Sequence, residues 1–203
     1  MFTGLISDLG RIRSVEHRGE YRGDTRIVFE TAYDTAGIAT GASIACSGVC
    51  LTAIEKGPGW FSSDLSAETL ARSTAADWRP GTAINLERSL KLGDELGGHL
   101  VYGHVDDVGT LAERHADGDS HRLVFSARAD VLRFVAVKGS IAVDGVSLTV
   151  NRVADGAEEG HFEVTVIPHT ARMTTLGQCQ PGTRVNLEID MLARYVQRLL
   201  AKD

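Results

Sequence analysis

The sequence predicts an all-β protein built as two homologous domains in tandem, followed by one helix. Three observations predict it. The chain repeats itself once at a shift near 100 residues. Short runs of alternating apolar and polar residues, bounded by glycine or proline, fill both copies. A final amphipathic stretch has no counterpart at the end of the first copy.

Four matches in order carry the repeat. Residues 41–53 (GASIACSGVCLTA) lie over 138–150 (KGSIAVDGVSLTV) at a shift of 97. Residues 80–87 (PGTAINLE) lie over 181–188 (PGTRVNLE), and 61–74 over 162–175, both at 101. Residues 4–10 (GLISDLG) pair with 103–109 (GHVDDVG) at 99. A period this long is a small domain, not a solenoid repeat or a propeller blade. The domains expected are 1–91 and 92–203, joined in the glycine-interrupted stretch LKLGDELGGH. The second divides into 92–189 and a helix at 190–203. Each half needs a core of its own, which roughly 90–110 residues can build.

The elements follow in order. Ile141 and Val143, then Val146, Leu148 and Val150, alternate with small or polar residues, with Asp144-Gly145 as the turn. The first half does the same around Ser47-Gly48. RIVFE, WFSSDL, INLE, HRLVFSA, HFEVTVI and RVNLEI read as further short strands. Strands of this length and spacing suggest a small barrel or a sandwich. Ser66 is a good N-cap for a short helix, and a second is expected around Thr170. Asp190 can cap MLARYVQRLL, which sets Leu192, Tyr195, Val196 and Leu199 on one face. Two roles stay open for that face: covering a barrel end, or associating with copies of itself.

Composition removes several function classes. With 203 residues, 43% apolar and 24% charged, the chain is neither disordered nor membrane-spanning by helices. The N-terminus has no basic region followed by an apolar core, so no secretory signal is expected. A net charge of −6 gives no bulk attraction to nucleic acid or an anionic membrane. Three cysteines cannot form a closed disulfide framework, and reduced thiols in the cytoplasm are expected. Cys46-x3-Cys50 spans a turn and His99-x4-His104 followed by Asp-Asp is no usual zinc spacing, so no metal is expected. No nucleotide-loop or nucleophile-elbow signature occurs.

Successive strand side chains face opposite ways. Ser147 and Thr149 therefore share one face against Val146, Leu148 and Val150. Cys50 and Thr52 share one against Val49 and Leu51. A solvated strand face gives the same pattern, but its presence in both halves suggests two related pockets. The copies differ in chemistry: Cys50 stands for Ser147, Ser47 for Asp144, Gly41 for Lys138 and Leu5 for His104. His99 and His104 titrate near neutral pH and suit acid–base work.

Together, MFTGLI, SGVCLTA, DLSAETL, LGGHLVYGH, KGSIAVDGVSLTV, VIPHT followed by TTLG, and VNLEID resemble the riboflavin synthase family of tandem lumazine-binding barrels. The motifs span the chain in order. The resemblance implies two six-stranded Greek-key barrels and a C-terminal helix through which three chains form a homotrimer. It places active sites between the N-terminal barrel of one chain and the C-terminal barrel of its neighbour. The implied reaction is a dismutation of two 6,7-dimethyl-8-ribityllumazine molecules to riboflavin and 5-amino-6-ribitylaminouracil, without metal or cofactor. An association with lumazine synthase is left open.

The implied substrate-binding residues in the N-terminal barrel are Gly4, Leu5, Ile6, Cys50, Leu51 and Thr52, with Asp64, Leu65, Ser66, Ala67, Glu68 and Thr69. In the C-terminal barrel they are Gly103, His104, Val105, Lys138, Ser147, Leu148 and Thr149, with Ile167, Pro168, His169, Thr170, Ala171 and Arg172. The catalytic expectation falls on His104, Ser147, Thr149 and Asp144, supported by Cys50, His99 and Phe2. The 7-methyl group of the lumazine is acidic, since its carbanion spreads into the ring, so stacking and orientation supply much of the rate. Two rivals stand beside the enzyme. One is a non-catalytic lumazine or flavin carrier of the same fold, which would lose the polar groups of one pocket. The other is an interaction module acting through the terminal helix, which leaves the repeated polar faces unexplained.

Overall fold

A computed structural model describes residues 1–18 and 24–201. The first half contributes strands β1 (Asp8–Arg18), β2 (Asp24–Glu30), β3 (Ser43–Cys46), β4 (Val49–Thr52), β5 (Glu55–Gly57), β6 (Trp60–Ser66) and β7 (Ala83–Arg88), with helix α1 (Ala67–Arg72). The second contributes β8 (Asp107–Asp117), β9 (Ser120–Arg128), β10 (Ser140–Val143), β11 (Val146–Ala154), β12 (Glu159–Val166) and β13 (Arg184–Ile189). Its helices are α2 (Ala129–Leu132), which the sequence pattern does not announce, α3 (Pro168–Met173) and the terminal α4 (Met191–Leu200).

The second half is a closed barrel in the order β10-β11-β12-β9-β8-β13. The first half runs β4-β3-β7-β1-β2-β6-β5. Its end strands β4 and β5 are consecutive in the chain, parted only by Ala53 and Ile54, and together they match the single strand β11. The Ile54 N–H donates to the Ser62 carbonyl at 2.9 Å, so the chain itself carries the ring across the gap. Both halves are thus the expected all-β barrels, one with a strand broken in two.

Each barrel has its own core, as the repeat requires. Phe29 and Phe61 stack at 4.9 Å in one, and Phe125 and Phe162 at 5.5 Å in the other. All four rings are fully buried, each worth about 2–3 kcal/mol of apolar transfer. Val146, Leu148 and Val150 point inward while Thr149 is exposed, the period-two pattern expected of this strand.

The turns that join β3 to β4 and β10 to β11 meet back to back. Ser47 and Gly48 have φ of 42° and 78°, and Asp144 and Gly145 have 47° and 78°. Two consecutive positive φ values make a type I′ hairpin turn. A Cβ on Gly48 would stand 2.7 Å from the Gly145 nitrogen, and one on Gly145 would stand 2.8 Å from the Gly48 nitrogen. Only glycine allows this approach, which marks a pseudo-twofold axis between the barrels. Phe2 and Val101 bridge beside it, and with Ala45 and Ala142 they form a third, central core cluster.

Two asparagines fix the barrels to each other. Asn85 Nδ2 on β7 donates across to the Asp144 carbonyl and to Thr175 Oγ1, both at 2.9 Å. Asn186 Nδ2 on β13 donates back to the Ser47 carbonyl at 2.8 Å. The Thr74 and Thr175 N–H groups close the pattern on Asn186 Oδ1 and Asn85 Oδ1. Buried amides satisfied this way specify one relative orientation, because any other leaves them unpaired.

Caps fall where expected. Ser66 Oγ accepts from the Thr69 N–H, and Asp190 Oδ1 from the Leu192 N–H. No residue of α4 is buried. Leu192, Tyr195, Val196 and Leu199 are 64%, 60%, 55% and 84% exposed, so the helix does not cover a barrel end. Residues 202–203 of the expected helical segment lie outside the described residues.

Candidate functional site

The two polar strand faces do form two related settings, but they are assembled crosswise. The N-terminal segment leaves its own barrel and lies on the other one. The Ser147 N–H donates to the Gly4 carbonyl at 2.9 Å, and Ile6 packs against the core of the C-terminal barrel. The linker segment does the reverse. The Cys50 N–H donates to the Gly103 carbonyl at 2.8 Å, and Val105 packs against the core of the N-terminal barrel. Gly4 and Gly103 have φ of 76° and 74°. A Cβ there would stand 2.5 Å from Ser147 Cβ or 2.7 Å from Cys50 Cβ. The repeated glycine is therefore required by backbone conformation and by contact.

This corrects the expected grouping. Gly4, Leu5 and Ile6 belong with Ser147, Leu148 and Thr149. Gly103, His104 and Val105 belong with Cys50, Leu51 and Thr52. Periodicity assigns a face to a segment, but not the barrel it lies on. The remaining expected residues stay with their own barrels. Strands β11 and β12 are antiparallel with Val150 opposite Val164, so the end of β12 lies beside the start of β11. That brings Ile167, Pro168, His169, Thr170, Ala171 and Arg172 toward the Ser147 end. Lys138, held at φ 67°, donates its N–H to the Val150 carbonyl and so sits at the other end of the Ser147–Thr149 run. In the first half, β6 passes β4 and delivers Asp64, Leu65, Ser66, Ala67, Glu68 and Thr69. Arg26 grips Asp64 by a bidentate pair at 2.7 and 3.0 Å.

The histidines separate. His104 is exposed on the Cys50 side, its ring 5.9 Å from Tyr102. His99 is buried on the Ser147 side. Its Nδ1 shares a 2.7 Å hydrogen bond with Ser147 Oγ, and the backbone N–H of His99 donates to the Thr3 carbonyl. Burial lowers the pKa of His99 below its ordinary value, with the charge of Asp190 pulling weakly the other way. The ring is neutral at neutral pH and can accept the Ser147 proton. Its Nε2 is buried without a hydrogen-bond partner among the described residues. Within one chain, His104 and Ser147 thus stand in different settings.

Two expected catalytic residues are placed elsewhere. Asp144 follows its turn to the barrel interface, where Oδ1 accepts the Asn186 N–H at 2.8 Å. Burial pushes its carboxyl up to about 7. It lines an inter-barrel groove of about 390 Å³ with Ser47, Thr74 and Thr175, which neither Ser147 nor Cys50 reaches. In the other copy Ser47 Oγ holds the Asn85 N–H in the same way, so this side chain ties a turn to a strand. Phe2 is 0% exposed in the central cluster, where no reacting group can reach it.

The crossing segments are held by two glutamates that sequence reasoning does not single out. Glu87 accepts from Thr3 N–H and Oγ1, both at 2.7 Å, and from the Gly4 N–H at 2.9 Å. Glu188 accepts from the N–H groups of Tyr102, Gly103 and His104 at 2.7, 2.8 and 3.1 Å. Both close the repeated PGTxxNLE match. The signal that could have found them is the identity of Asn-Leu-Glu in two copies whose neighbours differ.

Two barrels with paired, unlike polar settings form a duplicated architecture with one candidate pocket on each barrel. The lumazine-binding-domain model matches residues 3–89 and 102–190, one copy per barrel. A solved structure of LumP with 6,7-dimethyl-8-(1'-D-ribityl) lumazine superposes with a TM-score of 0.80 at 20% identity, over 93% of this chain and 98% of that one, and shows the shared fold. The riboflavin synthase of Brucella abortus (strain 2308) is 48% identical over 98% of both chains. That of Mycobacterium bovis is 44% identical over 98% of both. The chain belongs to the riboflavin synthase family, as its motifs anticipated.

Proposed function

We propose that this chain catalyses the dismutation of two 6,7-dimethyl-8-ribityllumazine molecules to riboflavin and 5-amino-6-ribitylaminouracil. One substrate gives a four-carbon unit and the other takes it, so no external oxidant or reductant enters. The observation that carries this reading is the pair of crossed settings, alike in backbone and unlike in polar chemistry. A reaction between two copies of one substrate needs that: a common way to hold the ring and different groups to treat it. On one side stand Ser147, Thr149 and the neutral His99. On the other stand Cys50, Thr52 and His104. Ser147 with His99 suits proton transfer or addition at one ring, and Cys50 with His104 suits the partner ring. Holding both substrates in register contributes effective molarity, up to about 7–11 kcal/mol in ideal cases.

The proposal includes assembly and place. Domains 1–91 and 92–189 each hold one lumazine, and segment 190–203 joins three chains so that an N-terminal barrel faces a neighbour's C-terminal barrel. The uncovered apolar face of α4 supports this. The three cysteines are free thiols, which supports a reducing compartment, the cytoplasm.

The test incubates the pure protein with 6,7-dimethyl-8-ribityllumazine and EDTA and follows substrate and product by absorbance. One riboflavin per two lumazines consumed is the expected result. Tight binding without turnover would make the chain a carrier instead.

A further inference from the structure

We propose that Glu87 and Glu188 are crossed positioning residues: each carboxylate sits on one barrel and shapes the substrate setting on the other. Glu188 lies near the end of β13 of the C-terminal barrel, yet the segment it holds, Tyr102 to His104, lies on the N-terminal barrel against Cys50. Glu87 lies near the end of β7 of the N-terminal barrel, yet the segment it holds, Thr3 and Gly4, lies on the C-terminal barrel against Ser147. Both carboxylates are about 95% buried, with residue exposures of 5% and 4%.

The geometry needs a carboxylate. Three donors converge on each group, and a carboxylate offers acceptors on both oxygens. Glutamine would keep one oxygen and turn an N–H toward the backbone N–H groups of the held segment. Burial raises both carboxyls, that of Glu188 to about 7, while the converging donors favour the ionised form. Above that pH, hydrogen bonds to the charged acceptor are about twice as strong as neutral ones, so the exchange loosens that segment first. Each held segment runs directly into a substrate-facing element. After Gly103 comes His104, and after Gly4 come Leu5 and Ile6. The two settings are therefore not independent sites on independent barrels. Each is completed by a clasp on its neighbour, so two separated barrels would each carry an unfinished face. The inference rests on the two-setting reading of the reaction, but its test does not use turnover.

The test exploits a probe in each setting. Cys50 is half-buried while Cys46 and Cys179 are buried, so mild alkylation with iodoacetamide, located by mass spectrometry, reports on the Cys50 side. The imidazole of His99 reports on the Ser147 side through its NMR titration. In Glu188→Gln the Cys50 alkylation rate rises about tenfold or more, the loss of a single charged hydrogen bond, while the His99 titration stays as in the parent. In Glu87→Gln the pattern reverses, with His99 shifting by about half a unit or more and Cys50 unchanged. Gly103→Ala provides a second route to the Cys50 side that leaves both carboxylates in place, and it gives the Glu188→Gln pattern. Both probes moving together in either Gln variant, or the same-barrel probe moving, would overturn the proposal. A crossed response in a protein that turns over no lumazine would uphold it and remove the proposed reaction.

Discussion

His99 Nδ1 lies 2.7 Å from Ser147 Oγ, in a pocket that keeps the imidazole neutral. The pair links a residue of the inter-barrel segment to the polar face of β11. Neither residue alone carries a sequence signature for it, since 48 positions separate them.

If this pair moves a proton in the reaction, His99→Ala and Ser147→Ala each lower kcat by about 10²–10⁴. The double variant loses little more than the worse single one, because two groups acting as a unit are not additive. The acid limb of kcat/KM falls with a midpoint below the ordinary histidine value, since protonating His99 removes the acceptor. Steady-state kinetics from pH 5 to 8 checks all three outcomes. A loss under tenfold in both single variants would remove the pair from the mechanism.

Asp144 makes stability depend on pH in a defined direction. Its carboxyl is raised to about 7 by burial, above its unfolded value. Its favourable contribution is then fully present below the unfolded pKa and is lost as pH rises through about 7. At 1.36 kcal/mol per unit, the change amounts to a few kcal/mol. Asp144→Asn keeps an acceptor for the Asn186 N–H but cannot ionise. The variant therefore loses less stability than the parent between pH 5 and pH 8, as read from urea midpoints. Parallel curves for parent and variant would contradict this.

The N-terminal core contains a hydroxyl where its copy has a hydrocarbon. Ser63 and Val164 occupy the same position after the stacked Phe61 and Phe162, and both are 0% exposed. Ser63 Oγ is buried without a hydrogen-bond partner among the described residues. An unpaired buried hydroxyl costs about 1–3 kcal/mol. Ser63→Ala is expected to be neutral or stabilising, and Val164→Ser to cost about 2–3 kcal/mol. Denaturant unfolding of the two variants decides it. A large loss in Ser63→Ala would mean that the hydroxyl is paired in solution.

Much of this fold is legible in the sequence. The alternation through Val146, Leu148 and Val150, the turns at Ser47 and Asp144, and the caps at Ser66 and Asp190 are local features, and local sequence encodes them. The repeat supplies the second barrel from the first. Which barrel each segment joins stays hidden. Gly4 and Ser147 are far apart in sequence, and a period of two reports a face but not a neighbour. The same limit applies to Asp144, whose turn geometry the sequence encodes while its direction toward the interface depends on the other barrel. The break between β4 and β5 is hidden because Ala53 and Ile54 carry no glycine, proline or other turn residue.

Helix α4 stands apart from both cores. None of its ten residues is fully buried on its own chain, and the Asp190 cap and the Arg194–Asp106 ion pair at 2.7 Å tie it to the barrel. An exposed apolar stripe on so short a helix does not fold by itself, because an isolated helix under about 12–15 residues is marginal in water. In the proposed trimer three copies bury the stripe against one another. Replacing Leu192 and Leu199 with aspartate sets like charges on that face without touching either barrel core. The expected result is a monomer by light scattering, with the near-UV signal of the barrels kept. Turnover should fall together with assembly, since in that proposed trimer each reacting pair of substrates spans two chains. Restoring the leucines one at a time should return mass and activity in step. A variant that is monomeric yet fully active would show that both substrates meet within a single chain, and the inter-subunit site would then be withdrawn.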